Sequence, residues 1–161
     1  ECTGRIAEGI FWVGGNDRRL NLFENAFPIP HGISYNAYLV LDEKTVLLDT
    51  VDKAVGGLFF ENLAAGLGGR PLDYVVVTHM EPDHCATLRD LCRIHPETSI
   101  IVNAKSAAMI EQFFGPELKE RFLPVKEGDV LREEEGRFSL DSEETDKRRR
   151  EMKKKLMDLF E

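Results

Sequence analysis

The run Leu72–Val77, LDYVVV, leads directly into Thr78-His79-Met80-Glu81-Pro82-Asp83-His84, so an apolar strand pattern ends in two imidazoles and two carboxylates. No other stretch restricts the fold as much. A short apolar run bounded by turn residues predicts a buried strand. The polar groups behind it would be costly to bury without a compensating charge. They belong at an open strand end, where open α/β sheets place their sites. Side chains two apart point the same way on an extended backbone, so His79 and Glu81 converge. Pro82 keeps Glu81 out of helical geometry. Asp83 and His84 fall where the next helix begins, and its N-terminal amides favour the Asp83 carboxylate. Four potential metal ligands therefore face one crevice.

The flanking sequence supplies the sheet. GIFWV at 9–13 predicts a short strand, and SYNAYLVLD followed by EKTVLLDT predicts a hairpin. Between them, residues 16–32 read as a long irregular loop with two prolines, of the kind that belongs to a site. Val55, Leu58, Phe59, Leu63 and Leu67 recur at helical spacing. After the cluster come a helix through Leu88, Leu91 and Cys92, a strand at SIIVN, a helix at AKSAAMIEQFFG ended by Gly115 and Pro116, and a strand at RFLPV. Strands alternating with helices make an α/β domain.

At 161 residues with 42% apolar content, the chain suits one domain with a real core. A net charge of -8 argues against nucleic acid as principal partner, because phosphate binding draws on a basic surface. No run approaches the roughly 20 apolar residues of a membrane span, and the N-terminus lacks the order of a secretory signal. The expected location is cytoplasmic. Cys2, Cys85 and Cys92 lack metal-finger spacing and fit reduced thiols. Cys85 follows His84 in a first helical turn, which lowers a thiol pKa, yet a packing role is the expectation because unpaired cysteines are so often buried. His31 and His95 are read as surface or hydrogen-bonded residues. The opening Glu1 suggests a trimmed start.

From about Arg132 the composition turns charged. Asp141 with Glu144 three positions on marks a helix start. Met152, Leu156, Met157 and Phe160 give that helix its only apolar stripe, so a solvated helix docked by its last turns is expected. Lys147–Arg150 and Lys153–Lys155 are offset by interleaved Glu143, Glu144, Asp146 and Glu151.

HMEPDH resembles the H-x-E-x-D-H motif of flavodiiron proteins (A-type flavoproteins), a branch of the metallo-β-lactamase-like fold. IFWVGGNDRRLNLFENAFPIPHGISYNAYLVLDEKTVLLDT resembles the opening of those proteins, and Asp49 matches a structural aspartate ending an early strand. The similarity runs from about Cys2 to Leu140. It implies an α/β, metallo-β-lactamase-like αββα sandwich, here about its first half. The implied domains are a partial diiron domain at 1–140 and a charged helical tail at 141–161.

The resemblance further implies iron as a diiron pair, FMN as electron donor in the parent family, and reduction of dioxygen to water or nitric oxide to nitrous oxide. His79 and Glu81 would bind one iron and Asp83 the other. His84 matches a ligand of the second metal in related hydrolases, and the equivalent residue in flavodiiron proteins often does not ligate. No catalytic group beyond the ligands is implied. A rubredoxin or flavin-reductase-type electron donor and a homo-oligomer are the implied partners, with neither nucleic acid nor membrane. Glutamate in place of a zinc-site histidine adds a hard oxygen donor that suits iron or manganese.

The family's later ligands, two histidines and a bridging carboxylate, have no match after His84, where His95 is the only histidine. The family pattern stops within EGDVLREEEGRFSL, and no flavodoxin-like segment follows. The expectation is an N-terminal part altered at about residue 140, inactive alone, without bound flavin, and exposing apolar sheet surface that favours association. Two other readings stay open: a metal-dependent hydrolase of the same fold, and a non-catalytic metal-binding or interaction fragment.

Overall fold

The computed structural model describes residues 3–23, 26–126, 128–134 and 137–157, with the side chains of residues 133, 137 and 155–157 outside the description. Cys2, Phe160 and the side chains of Leu156 and Met157 lie outside it. Two compact units divide the chain, Glu1–Leu123 and Pro124–Glu161.

The first unit is built on a sheet whose strands follow one another in chain order: β1 (Gly4–Ala7), β2 (Ile10–Trp12), β3 (Tyr38–Leu41), β4 (Thr45–Leu48), β5 (Tyr74–Val77), β6 (Ser99–Asn103) and β7 (Phe122–Val125). From β1 to β4 the pairing is antiparallel, with tight connections from β1 to β2 and from β3 to β4 and a long one, residues 13–37, between β2 and β3. It turns parallel from β4 to β5 and from β5 to β6. Each parallel step needs a crossover, and α1 (Gly56–Leu67) provides the first. The second runs through α2 (Pro82–Cys85) and α3 (Leu88–Ile94). A further helix, α4 (Ala104–Phe114), follows β6 and ends at Gly115, as its sequence predicts.

Register explains the core. Leu39 pairs with Leu47, Leu47 with Val75 and Val75 with Ile100, so one row crosses four strands. All four side chains are fully buried, as are Phe59 and Leu63 of α1. The helix lies so close that a Cβ on Gly66 would come within 2.9 Å of Leu39 Cδ2. The alternate row of Tyr38, Leu48 and Val76 is only half-buried. The first unit is thus an α/β arrangement, one sheet with α1 packed on its buried face.

Residues 16–32 are less irregular than their prolines suggest. Gly15–Asp17 pairs with Ile33–Tyr35, and Leu22–Phe23 with Phe27–Pro28. Gly14 permits a close backbone approach just after β2, since a Cβ there would lie 2.0 Å from the Tyr35 carbonyl oxygen.

In the second unit, β8 (Val130–Glu134) and β9 (Arg137–Asp141) form an antiparallel hairpin before α5 (Ser142–Met157). The hairpin was not expected from its charged sequence. Asp141 does start the helix, its Oδ1 accepting from Glu144 N at 3.0 Å. Thr145, buried on α5, accepts from Val130 N at 2.9 Å and ties helix to hairpin. Met152 is exposed.

Candidate metal centre

Two strand ends assemble the site. Beyond β4 the chain turns at Asp49 with φ 58°. The left-handed region costs a residue with a Cβ roughly 1–2 kcal/mol, least for Asp and Asn. Its neighbours hold the turn: Asp49 N donates to Val76 O at 2.9 Å, and the carboxylate receives Thr78 N on Oδ1 at 2.8 Å and the Thr78 hydroxyl on Oδ2 at 2.6 Å. His84 Nδ1 lies 3.1 Å from the same Oδ2. Thr50 donates both its backbone N–H and its hydroxyl to the His84 carbonyl, each at 2.9 Å. The first crossover and the start of α2 are therefore locked to one turn.

Beyond β5, Glu81 is extended, with φ -69° and ψ 144°, and Pro82 opens α2. That geometry is the one Pro82 predicts. His79 Nε2 lies 3.5 Å from Glu81 Oε2, and His84 Nε2 lies 3.3 Å from Asp83 Oδ2. The two imidazole centroids are 4.0 Å apart, tilted by 45°. Thr78 Oγ1 also touches His79 Nδ1 at 2.9 Å.

Two overlapping donor sets result, Asp49 with His79 and His84, and His79 with Glu81 and Asp83, the donor atoms of each lying within 4.8 Å of one another. Both oxygens of Asp49 are already engaged by Thr78 and His84. The second set is freer. Within it Asp83 Oδ1 is buried without a partner. A buried carboxylate oxygen in that state is costly. Wherever an imidazole lone pair faces a carboxylate oxygen, a proton or a cation is needed between them. A divalent cation fits this donor set, and two carboxylates suit a hard metal. His31 and His95 belong to neither donor set.

Cavities flank the cluster. One of about 350 Å³ is walled by His79 and Glu81 on one side and by Asn103, Lys105 and Ser106 on the other. Another, about 310 Å³, is lined by Leu20, Leu22, Phe23 and Tyr35 and reaches Asp83. Burial raises the Tyr35 pKa, and the charges of Asp52, Asp17 and Asp83 add to it, so its hydroxyl stays a proton donor.

Cys85 takes the packing role. It is buried, and its thiol donates to Met80 O at 3.3 Å. Burial first, then the charges of Asp83 and Asp49, push its pKa up to about 11. The helix-start effect does not prevail in a helix of four residues. The residues that sequence reasoning missed are Thr50, Thr78 and Tyr35. A hydroxyl directly before the first histidine was the one available signal.

A family model described as the metallo-beta-lactamase superfamily matches residues 32–150. The anaerobic nitric oxide reductase flavorubredoxin of Aliivibrio salmonicida is 34% identical over 131 residues, covering 80% of this chain and 26% of the relative. Among solved structures, the rubredoxin oxygen:oxidoreductase of Desulfovibrio gigas superposes with a TM-score of 0.74 at 31% identity, over 81% of this chain and 32% of that one. A flavoprotein of Thermotoga maritima gives 0.73 at 30% identity, over 85% and 34%. The chain thus spans about a quarter of the length of the curated relative it matches.

Proposed function

Because this chain belongs to the metallo-beta-lactamase superfamily, and within it to the flavodiiron proteins, we propose that it carries part of the iron site of an oxidoreductase that reduces dioxygen to water or nitric oxide to nitrous oxide. The observation that carries the reading is the His79, Glu81 and Asp83 donor set with its orphaned Asp83 oxygen. Iron bound there would supply the one-electron redox couple that such a reduction needs. The protein's share is to hold the donors. Pro82 keeps Glu81 extended toward His79, Asp49 orients His84, and Asp83 leaves one oxygen free.

The apolar cavity beside Asp83 suits a small uncharged molecule, and the Tyr35 hydroxyl offers it a proton-bearing contact. FMN, a rubredoxin or flavin-reductase-type donor and a homo-oligomeric state enter the proposal from the family, not from any residue of this chain. The chain alone is proposed to be inactive, with residues 1–140 as the partial diiron domain and 141–161 as a charged helical tail. Among the described residues no helix is long and apolar enough to cross a membrane, and a cytoplasmic location belongs to the proposal.

The metal-dependent hydrolase is the second reading, since the fold hosts both chemistries. Two assays separate them. The iron-loaded chain with reduced FMN is followed by oxygen and nitric oxide electrodes, and the zinc-loaded chain is offered a β-lactam and a thioester. No hydrolysis above free zinc is expected, and no gas consumption above free iron until a flavodoxin-like domain is supplied. Zinc-dependent hydrolysis would replace the proposal with the hydrolase.

A further inference from the structure

We infer that Thr78 is a positioning residue that sets the tautomer of His79, relaying the Asp49 carboxylate to the ring so that His79 presents Nε2 as its donor atom. The inference rests on the metal-site reading only for its purpose. The hydrogen bonding stands by itself.

The available protons decide the direction of each bond. An ionised carboxylate accepts and cannot donate, and a threonine hydroxyl has one proton to give. Thr78 Oγ1 lies 2.6 Å from Asp49 Oδ2, the short separation of a hydroxyl donating to a charged oxygen. That proton is therefore committed. The remaining contact of Oγ1, 2.9 Å from His79 Nδ1, can only be one in which the ring donates and the hydroxyl accepts. His79 then carries its proton on Nδ1, the less favoured tautomer of a free histidine ring, and its Nε2 lone pair points toward Glu81. His84 differs: its Nδ1 faces Asp49 Oδ2 directly at 3.1 Å, and its Nε2 lies 3.3 Å from Asp83 Oδ2, so two carboxylates compete for its proton.

Position supports the role. Thr78 N donates to Asp49 Oδ1 at 2.8 Å, so backbone and hydroxyl of one residue grip both carboxylate oxygens and the hydroxyl is aimed before any ligand arrives. Thr78 is exposed rather than packed in the core, so its hydroxyl is not explained by burial. Partners that orient metal-binding histidines typically change affinity by 10–100-fold when lost.

The test uses the full chain, ¹⁵N-labelled and metal-free, at alkaline pH. Two-bond ¹H–¹⁵N correlations of the imidazoles distinguish the tautomers. Wild type is expected to show Nδ1–H at His79. Thr78→Val should move His79 toward the free-histidine mixture while His84 keeps its pattern, and Thr78→Ser should restore His79. Cobalt affinity, read by calorimetry, should fall about tenfold in Thr78→Val and recover in Thr78→Ser. An Nε2–H His79 in wild type, or an unchanged His79 pattern in Thr78→Val, overturns the inference. Because the spectra are read without metal, failure of the chain to hold cobalt would count against the proposed function and not against the tautomer.

Discussion

Asp49 reaches His84 across 35 positions of sequence, its Oδ2 lying 3.1 Å from the ring Nδ1. The bond joins the turn after β4 to the first turn of α2, and the same carboxylate takes two bonds from Thr78. One side chain thus fixes the spacing between two strand ends.

Asp49→Asn keeps a residue that tolerates φ 58° and removes the charge that orders the hydroxyl and ring. It should lower stability by about 2 kcal/mol, the scale of hydrogen bonds to a charged group. Asp49→Ala should cost more, because the left-handed turn then lacks its tolerated side chain. Urea denaturation of the three chains gives the order. Equal stability of all three would contradict the assigned role.

Acid sensitivity should trace in part to Asp73. Burial raises its pKa, but the Thr45 N–H, Lys44 and the Thr45 hydroxyl outweigh it and leave the value below 3.8. A carboxylate depressed in the folded state contributes stability that is full above its unfolded pKa and is lost as pH falls through the folded one. Asp73→Asn should therefore be less stable than wild type at neutral pH, with the gap closing below about pH 4. A gap that stays constant to low pH would show that the ionised form is not what matters.

Cys85→Ser should leave metal affinity unchanged and lower stability by roughly 1 kcal/mol, because the hydroxyl is the more polar group in a buried site. The wild-type thiol, held near pKa 11, should react slowly with iodoacetamide at neutral pH. A large loss of metal in the serine variant would instead make Sγ a ligand.

Thr145→Val strands the Val130 N–H at the start of the hairpin in the second unit. Amide exchange at Val130 should accelerate at least tenfold, matching a loss of about 1.5 kcal/mol. Unchanged exchange would mean that this bond does not hold the unit together.

The helices and central strands were legible because their apolar residues follow the periods of the elements, as at Phe59 and Leu63 or Leu39 and Leu47. The cluster from His79 to His84 was legible because its four groups are neighbours in sequence and Pro82 fixes the backbone between them. Thr78 was not, since its role exists only when Asp49, 29 positions earlier, folds onto it. The hairpin of β8 and β9 escaped because Arg132, Glu133 and Glu134 break the alternation in β8, leaving the RFSLD pattern of β9 without a recognisable partner strand, and its support comes from Thr145 beyond it. Two-residue ladders such as Leu22–Phe23 carry no period at all.

The central claim is that His79, Glu81 and Asp83 form a divalent-metal site. The two donor sets share His79, so they cannot both be filled. Metal analysis of the purified chain after anaerobic loading with ferrous iron and dialysis tests this most directly, alongside a His79→Ala, Glu81→Ala double variant. The account predicts no more than one iron per wild-type chain and none in the variant. Two tightly held irons per chain, or equal iron in both proteins, would contradict it.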